Sequence, residues 1–99
     1  MFDFSELEPK ILDASNLMCM LSHPIRLKLM CLLQSGDQSV LNLAKNVNLS
    51  QPAISHHLKK LRDTNLVKTR RDGQTIYYSL NGIEVEEILM TLHKLYCKK

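Results

Sequence analysis

The stretch Leu49-Ser50-Gln51-Pro52-Ala53-Ile54-Ser55-His56-His57-Leu58-Lys59-Lys60-Leu61-Arg62 decides how this chain folds. Ser50 is placed to accept a hydrogen bond from the free N–H groups of a helix start, and Pro52 suits a first turn, where no N–H partner is required. Beyond them Ile54, His57, Leu58 and Leu61 recur at helical spacing and predict an inward face. Gln51, Ser55, His56, Lys59 and Arg62 fall on or near the other face, so the helix is amphipathic with a basic polar side.

Immediately upstream, Ser39 predicts the cap of a short helix carrying Val40, Leu43, Ala44 and Val47 at i, i+3, i+4 and i+7. Asn48-Leu49-Ser50 is too short a link for anything but a sharp turn. Ala44 is small where two helices cross closely, Asn48 tolerates a left-handed backbone, and Ile54 plugs the second helix into the core. The pair reads as a helix-turn-helix over about residues 39–65.

Downstream, helical periodicity stops near Asn65, and Leu66 to Leu80 is rich in β-branched and aromatic residues around Asp72-Gly73. Asp-Gly suits a two-residue type I′ turn, which predicts a hairpin, or wing, over about 66–80. In that register Arg71 faces Gln74 and Arg70 faces Thr75, with both arginines at the tip. A last helix begins at Asn81 or Gly82, carries Val85, Ile88, Leu89, Leu92 and Leu95 as an apolar stripe, and runs to Cys97. Upstream, one helix is expected from about Ser5 to Leu21 with Pro9 in its first turn. A second is expected to open at Ser22-His23-Pro24 under a serine cap and to end at Ser35-Gly36-Asp37. Its apolar residues, Ile25, Leu29, Leu32 and Leu33 on one side and Leu27, Met30 and Cys31 on another, make it central. The expected fold is mainly α with a small β-hairpin: a winged helix-turn-helix in the order ααααββα, occupying residues 1–99 as one domain.

Ninety-nine residues, 44% of them apolar and 23% charged, suffice for one core and exclude a large multidomain enzyme. No apolar run approaches the ~18 residues of a membrane span, and the start lacks the basic residues of a secretory signal. A cytoplasmic protein with no membrane partner is expected. Its three cysteines, Cys19, Cys31 and Cys97, are an odd number in a reducing compartment, hence packing or reactive residues and not a disulfide framework. There is no Cys-x-x-Cys, no glycine-rich phosphate loop and no spaced carboxylate pair, so an enzyme lacks candidate apparatus.

The net charge of +3 is unevenly spread. In residues 1–20 Lys10 alone stands against Asp3, Glu6, Glu8 and Asp13; in residues 50–80 Lys59, Lys60, Arg62, Lys68, Arg70 and Arg71 stand against Asp63 and Asp72. The basic half coincides with the second helix of the helix-turn-helix and with the wing, which points to double-stranded DNA. Gln51, Ser55 and His56, in the first turns of that helix, are the candidates for reading base edges in a major groove. Lys59, Lys60, Lys68, Arg70, Arg71 and, secondarily, Arg62 are the candidates for phosphates, with the wing arginines also suited to a minor groove. Tyr77 is expected to be partly packed, and His57 is read as a core or cap histidine. A winged-helix protein-interaction module is the rival class, separated by the steep salt dependence that only DNA binding shows.

The segments Leu21-Ser22-His23-Pro24-Ile25-Arg26-Leu27-Lys28-Leu29, Leu49 to Arg62 and Gly73-Gln74-Thr75-Ile76-Tyr77-Tyr78-Ser79-Leu80 resemble those of ArsR/SmtB-type repressors. The resemblance implies a homodimer, paired through the first and last helices (about 5–21 and 82–97), that binds a palindromic operator and leaves it when an inducer is sensed. The family's metal box requires cysteines where this chain has Ser39 and Leu41. Its other metal site requires Asp, two His and an acid where this chain has Gly82, Glu84, Leu95 and Lys98. Neither set binds zinc as that family does, and no metal or cofactor is expected; His93 with Glu86 or Glu87 reads as solvated helix surface. A metal-responsive repressor with a non-standard site, or a redox-inert regulator, is the alternative.

One cysteine in Arg26-Leu27-Lys28-Leu29-Met30-Cys31-Leu32-Leu33 and one in Leu92-His93-Lys94-Leu95-Tyr96-Cys97 resemble the dithiol subgroup typified by HlyU, BigR and SqrR. That resemblance implies Cys31 and Cys97 as a pair sensing reactive sulfur species, such as persulfides or polysulfides, or oxidants. A direct disulfide requires Cα atoms within ~7 Å, whereas a tri- or tetrasulfide spans a wider gap. Which thiol reacts first is open: Lys94, Lys98 and Lys99 favour a Cys97 thiolate, while a helix C-terminus disfavours it. Cys19 has no matching role and is read as interface packing.

Overall fold

The computed structural model describes residues 2–97. The chain begins with α1 (Phe4–Leu7), passes through a 3-10 turn (Glu8–Lys10) and continues as α2 (Ile11–Leu21). The single helix expected over these residues is therefore broken. Pro9 lacks an N–H and favours the tighter turn at the break, and Asp3 caps the start, its carboxylate accepting from Ser5 N.

Next comes α3 (Pro24–Leu33). Its cap is His23, whose Nδ1 accepts from Ile25 N at 3.1 Å, in place of the expected Ser22. Ser22 instead donates its hydroxyl to the Cys19 carbonyl at 2.6 Å. Leu29, Met30 and Leu33 are buried, which gives α3 the central position its composition predicts, but Cys31, expected on an apolar side, is exposed.

A two-residue strand, β1 (Gln38–Ser39), precedes α4 (Val40–Val47) and α5 (Gln51–Asp63). Both serine caps form as expected: Ser39 Oγ accepts from Asn42 N at 3.2 Å and Ser50 Oγ from Ala53 N at 3.3 Å. Asn48 closes α4 in the left-handed conformation (φ 61°), so the sharp turn rests on a residue whose short amide tolerates it. Asn65 (φ 62°) does the same after α5, with Asn65 N donating to Arg62 O and Leu66 N to Leu61 O, the paired bonds that satisfy a helix's last carbonyls.

The wing consists of β2 (Val67–Asp72) and β3 (Thr75–Leu80), paired antiparallel. Its register is Asp72↔Thr75, Arg71↔Ile76 and Arg70↔Tyr77. The expected turn on Asp72-Gly73 is thus displaced by one residue. Gly73 (φ 63°) occupies the first turn position and Gln74, which has no positive φ, the second, the pattern of a type II′ turn. Both arginines sit one rung further from the tip than expected. The sheet also has three strands in the order β1-β3-β2, with Gln38↔Tyr78 and Ser39↔Tyr77.

The chain closes with α6 (Ile83–Tyr96). Leu43, Ile54, Leu58, Leu61, Val85 and Leu89 join the α3 residues in one buried cluster. The α6 stripe is buried only in part: Val85 and Leu89 are inside, Ile88 and Leu92 half-buried, and Leu95 is 61% exposed. With Ile83, Met90 and Tyr96, and with Ile11, Leu12 and Met18 of α2, it forms exposed apolar surface on the two helices that flank the domain. No helix among the described residues is long and apolar enough to cross a membrane.

Candidate nucleic-acid interface and thiol pair

The buried side of α5 fixes its polar side. Because Ile54, Leu58 and Leu61 are fully buried, Gln51, Ser55, His56, Lys59 and Lys60 are left exposed, and so are Lys68, Arg70 and Arg71 on the wing. Their freedom differs. Lys59 Nζ lies 3.0 Å from Asp63 Oδ2, an exposed i,i+4 pair that costs little to open. Arg71 donates through Nε to the Gly73 carbonyl of its own turn at 3.2 Å.

Arg70 is the most constrained. Nε and Nη2 donate to Asp37 Oδ2 at 3.1 and 2.8 Å, and the guanidinium lies 4.6 Å from the Tyr77 ring centroid. Hydrogen bonding to Asp37 is the main influence holding the Arg70 charge even more firmly. Tyr77 is half-buried, in line with its sequence reading. Asp37, read from sequence only as part of a helix stop, is the residue that reading missed. A two-residue strand has no periodicity to betray it, and the Asp37–Arg70 pairing spans 33 positions.

His57 lies on the inner edge of α5, half-buried, with its Nδ1 buried and without a hydrogen-bond partner. Its ring centroid is 4.7 Å from that of His23 and 5.8 Å from that of His56. Burial first, then His23, Arg26, His56 and Lys60, lower its pKa, and no carboxylate contributes an opposing pull. The folded state therefore favours neutral His57. A base with a depressed pKa contributes stability that is complete above its unfolded value of about 6.5 and is lost as pH falls through that value toward the folded one. Thermal melts at pH 7.5 and 5.5 should accordingly show a smaller loss of Tm in His57→Gln than in the parent chain; an equal or larger loss would contradict this assignment.

Cys31 occupies the last turn of α3 and Cys97 caps the C-terminus of α6, and both are exposed, as is Cys19. The surroundings of Cys31 are protein-rich enough that burial pushes its thiol pKa up. Charge on Cys97 pushes it in the same direction. Lys98 and Lys99, expected to favour a Cys97 thiolate, lie outside the described residues. Arg26 joins α2 to α3, donating through Nε to Met20 O at 2.9 Å and through Nη2 to Cys19 O at 3.4 Å. Among the described residues no group of three or more His, Cys, Asp or Glu side chains is arranged to hold a metal ion.

Two helices joined by a left-handed asparagine, a basic second helix and a hairpin paired to the body define a winged helix-turn-helix protein. Residues 23–69 match the model of the arsR family of bacterial regulatory proteins. The chain is 36% identical over 96 residues to the transcriptional activator HlyU of Vibrio cholerae, covering 97% of this chain and 89% of that one. A solved structure of reduced HlyU from the same organism superposes with a TM-score of 0.87 at 38% identity, covering 94% of this chain and 98% of that one. The transcriptional repressor BigR of Xylella fastidiosa does so with a TM-score of 0.91 at 32% identity, covering 99% and 100%. The chain belongs to the ArsR family of helix-turn-helix transcription regulators, within the HlyU/BigR-like subgroup.

Proposed function

We propose that the chain is a homodimeric transcriptional repressor whose hold on a palindromic operator is released when Cys31 and Cys97 are joined through sulfur. What supports the switch is that charge on Cys97 is one cause of the raised Cys31 pKa, although the two residues lie 66 positions apart in the chain, at the ends of different helices. α5 enters a major groove, where Gln51, Ser55 and His56 read base edges. Lys60, Lys68 and Arg71 neutralise phosphates, while Lys59 enters the interface from its ion pair with Asp63 and Arg70 borders it, paired with Asp37. The exposed apolar residues of α2 and α6 support pairing of two copies through the first and last helices, which matches two-fold operator symmetry. The domain assignment follows: residues 1–99 act as one winged helix-turn-helix unit, with 5–21 and 82–97 as its dimerisation segments. A cytoplasmic location, beside the DNA it regulates, belongs to the same reading.

In the switching step one cysteine thiolate attacks the sulfane sulfur of a low-molecular-weight persulfide, forming a protein persulfide as the small thiol leaves. The second cysteine then attacks the protein-bound inner sulfur, closing a disulfide as hydrosulfide leaves. The two protein thiols lose two electrons in total and the persulfide S–S bond gains them. Insertion of further sulfur atoms consumes additional persulfide and gives a longer bridge, and peroxide accepts the same two electrons, leaving as water, without adding sulfur. The bridge would tie α6, a dimer helix, to α3, on which the reading helix packs, and change the spacing or mobility of the two α5 helices. The test is binding to a duplex selected by the protein from a random-sequence pool. The reading expects one dimer per palindromic site, release by a persulfide donor, and rebinding after a thiol reductant; protein that holds its duplex through the treatment contradicts the switch.

A further inference from the structure

The base of the wing packs on the body through Val67, Tyr78 and Leu80, whereas residues 70–76 beyond it are exposed. Backbone pairing between wing and body is slight: β1 contributes only Gln38 and Ser39, paired with Tyr78 and Tyr77. Arg70 lies at that boundary. It pairs across the sheet with Tyr77, stacks on the Tyr77 ring, and is held by two hydrogen bonds to Asp37 at the junction of α3 and β1. The body side of the junction is itself fixed. Gln38 Nε2 donates to Leu32 O of α3 at 2.8 Å, and Gln38 Oε1 accepts from Asn42 Nδ2 of α4 at 2.8 Å.

The Asp37–Arg70 side chains are 39% and 56% exposed, so the ion pair adds little to the stability of the fold. What it restrains is direction. At ~3.3 Å per strand residue the turn lies roughly 10 Å beyond Arg70, so a tilt of about 10° moves the tip by nearly 2 Å, enough to break a hydrogen bond to a phosphate. We propose that Asp37 is a positioning residue for DNA binding: through Arg70 it holds the wing in the attitude that brings Arg71 and the wing tip to the nucleic-acid backbone, without touching DNA itself. Arg70 thereby moves from the phosphate contacts expected of it to the support of the wing. The inference rests on the DNA-binding reading given above.

The sign of one substitution separates this role from simple charge. Asp37 is an anion beside a surface that binds a polyanion, so by charge alone Asp37→Asn should tighten binding and free Arg70 for a phosphate. As a positioning residue it should do the opposite. With the full chain and its selected duplex, titrated between 50 and 200 mM salt, Asp37→Asn is expected to bind about 5- to 10-fold more weakly, the low end of what coupling between sites carries. The slope of log K against log salt should not change, whereas loss of a phosphate contact would lower it by about 0.9. Arg70→Ala should show the same loss at the same slope, and the double variant should be no worse than Arg70→Ala alone. Asp37→Glu, which keeps the carboxylate, should restore most of the affinity, and thermal melts should verify that each variant is folded. Asp37→Asn binding as tightly as the parent, or tighter, overturns the proposal and leaves the DNA-binding reading intact; a parent chain that selects no duplex removes both.

Discussion

Replacing Lys60, Lys68 and Arg71 together by alanine is expected to abolish most of the DNA affinity while leaving the fold intact. Each phosphate contact releases condensed counterions, and its loss lowers the slope of log K against log salt by about 0.9. Three losses lower the slope by about 2.7 for one half-site and by twice that for a dimer on two. At 0.1 M salt that amounts to about 500-fold per half-site. All three side chains are exposed, so the melting temperature should stay within a few degrees of the parent's. The doubling is informative, because a slope change near 2.7 would mean that one protomer contacts the duplex and a change near 5.4 that two do. An unchanged slope would mean that the basic face is merely solvated, as in an interaction module.

The second large effect concerns induction. Cys31→Ser and Cys97→Ser each remove one end of the proposed bridge and, being surface changes, should alter operator affinity by no more than about twofold. The parent chain should lose 5- to 150-fold in affinity on treatment with a persulfide donor, the range that 1–3 kcal/mol of coupling provides. Both variants should lose none, and Cys19→Ser should respond like the parent. Release of both single variants to the full extent would show that neither thiol is the switch. Cys31 carries a raised pKa, so the parent's response should also speed up as pH rises and the Cys31 thiolate fraction grows, provided that Cys31 takes part in the limiting step.

Much of this arrangement was legible in the sequence because it rests on local rules. Ser39 and Ser50 act as caps, Asn48 takes the left-handed turn, and the spacing of Leu43, Ile54, Leu58 and Leu61 identifies the buried side of each helix. The exposure of Gln51, Ser55, His56 and Lys60 follows from that spacing. What escaped depends on choices between near-equal local options or on distant partners. Ser22 and His23 both offer an acceptor at the start of α3, and the approach of His23 to His57 accompanies the choice of His23. Asp72-Gly73 and Gly73-Gln74 both make two-residue turns, and the observed register is the one that sets Arg70 against Tyr77 with Asp37 in reach. The β1 strand and the Asp37 contact involve residues 33 to 40 positions from their partners, which periodicity cannot register. The influence of Cys97 on Cys31 is of the same kind, since it joins positions 66 apart in the chain, and only a family resemblance suggested the pair.

The most direct test of the thiol switch is peptide mass mapping of the reduced chain before and after a persulfide donor, with duplex binding measured on the same samples. The account predicts a crosslink between the peptides containing Cys31 and Cys97, through a disulfide or a bridge with added sulfur atoms, accumulating in step with loss of binding and disappearing with its recovery under reductant. Loss of binding with both cysteines unlinked, or a complete Cys31–Cys97 crosslink on protein that still holds its duplex, would contradict it.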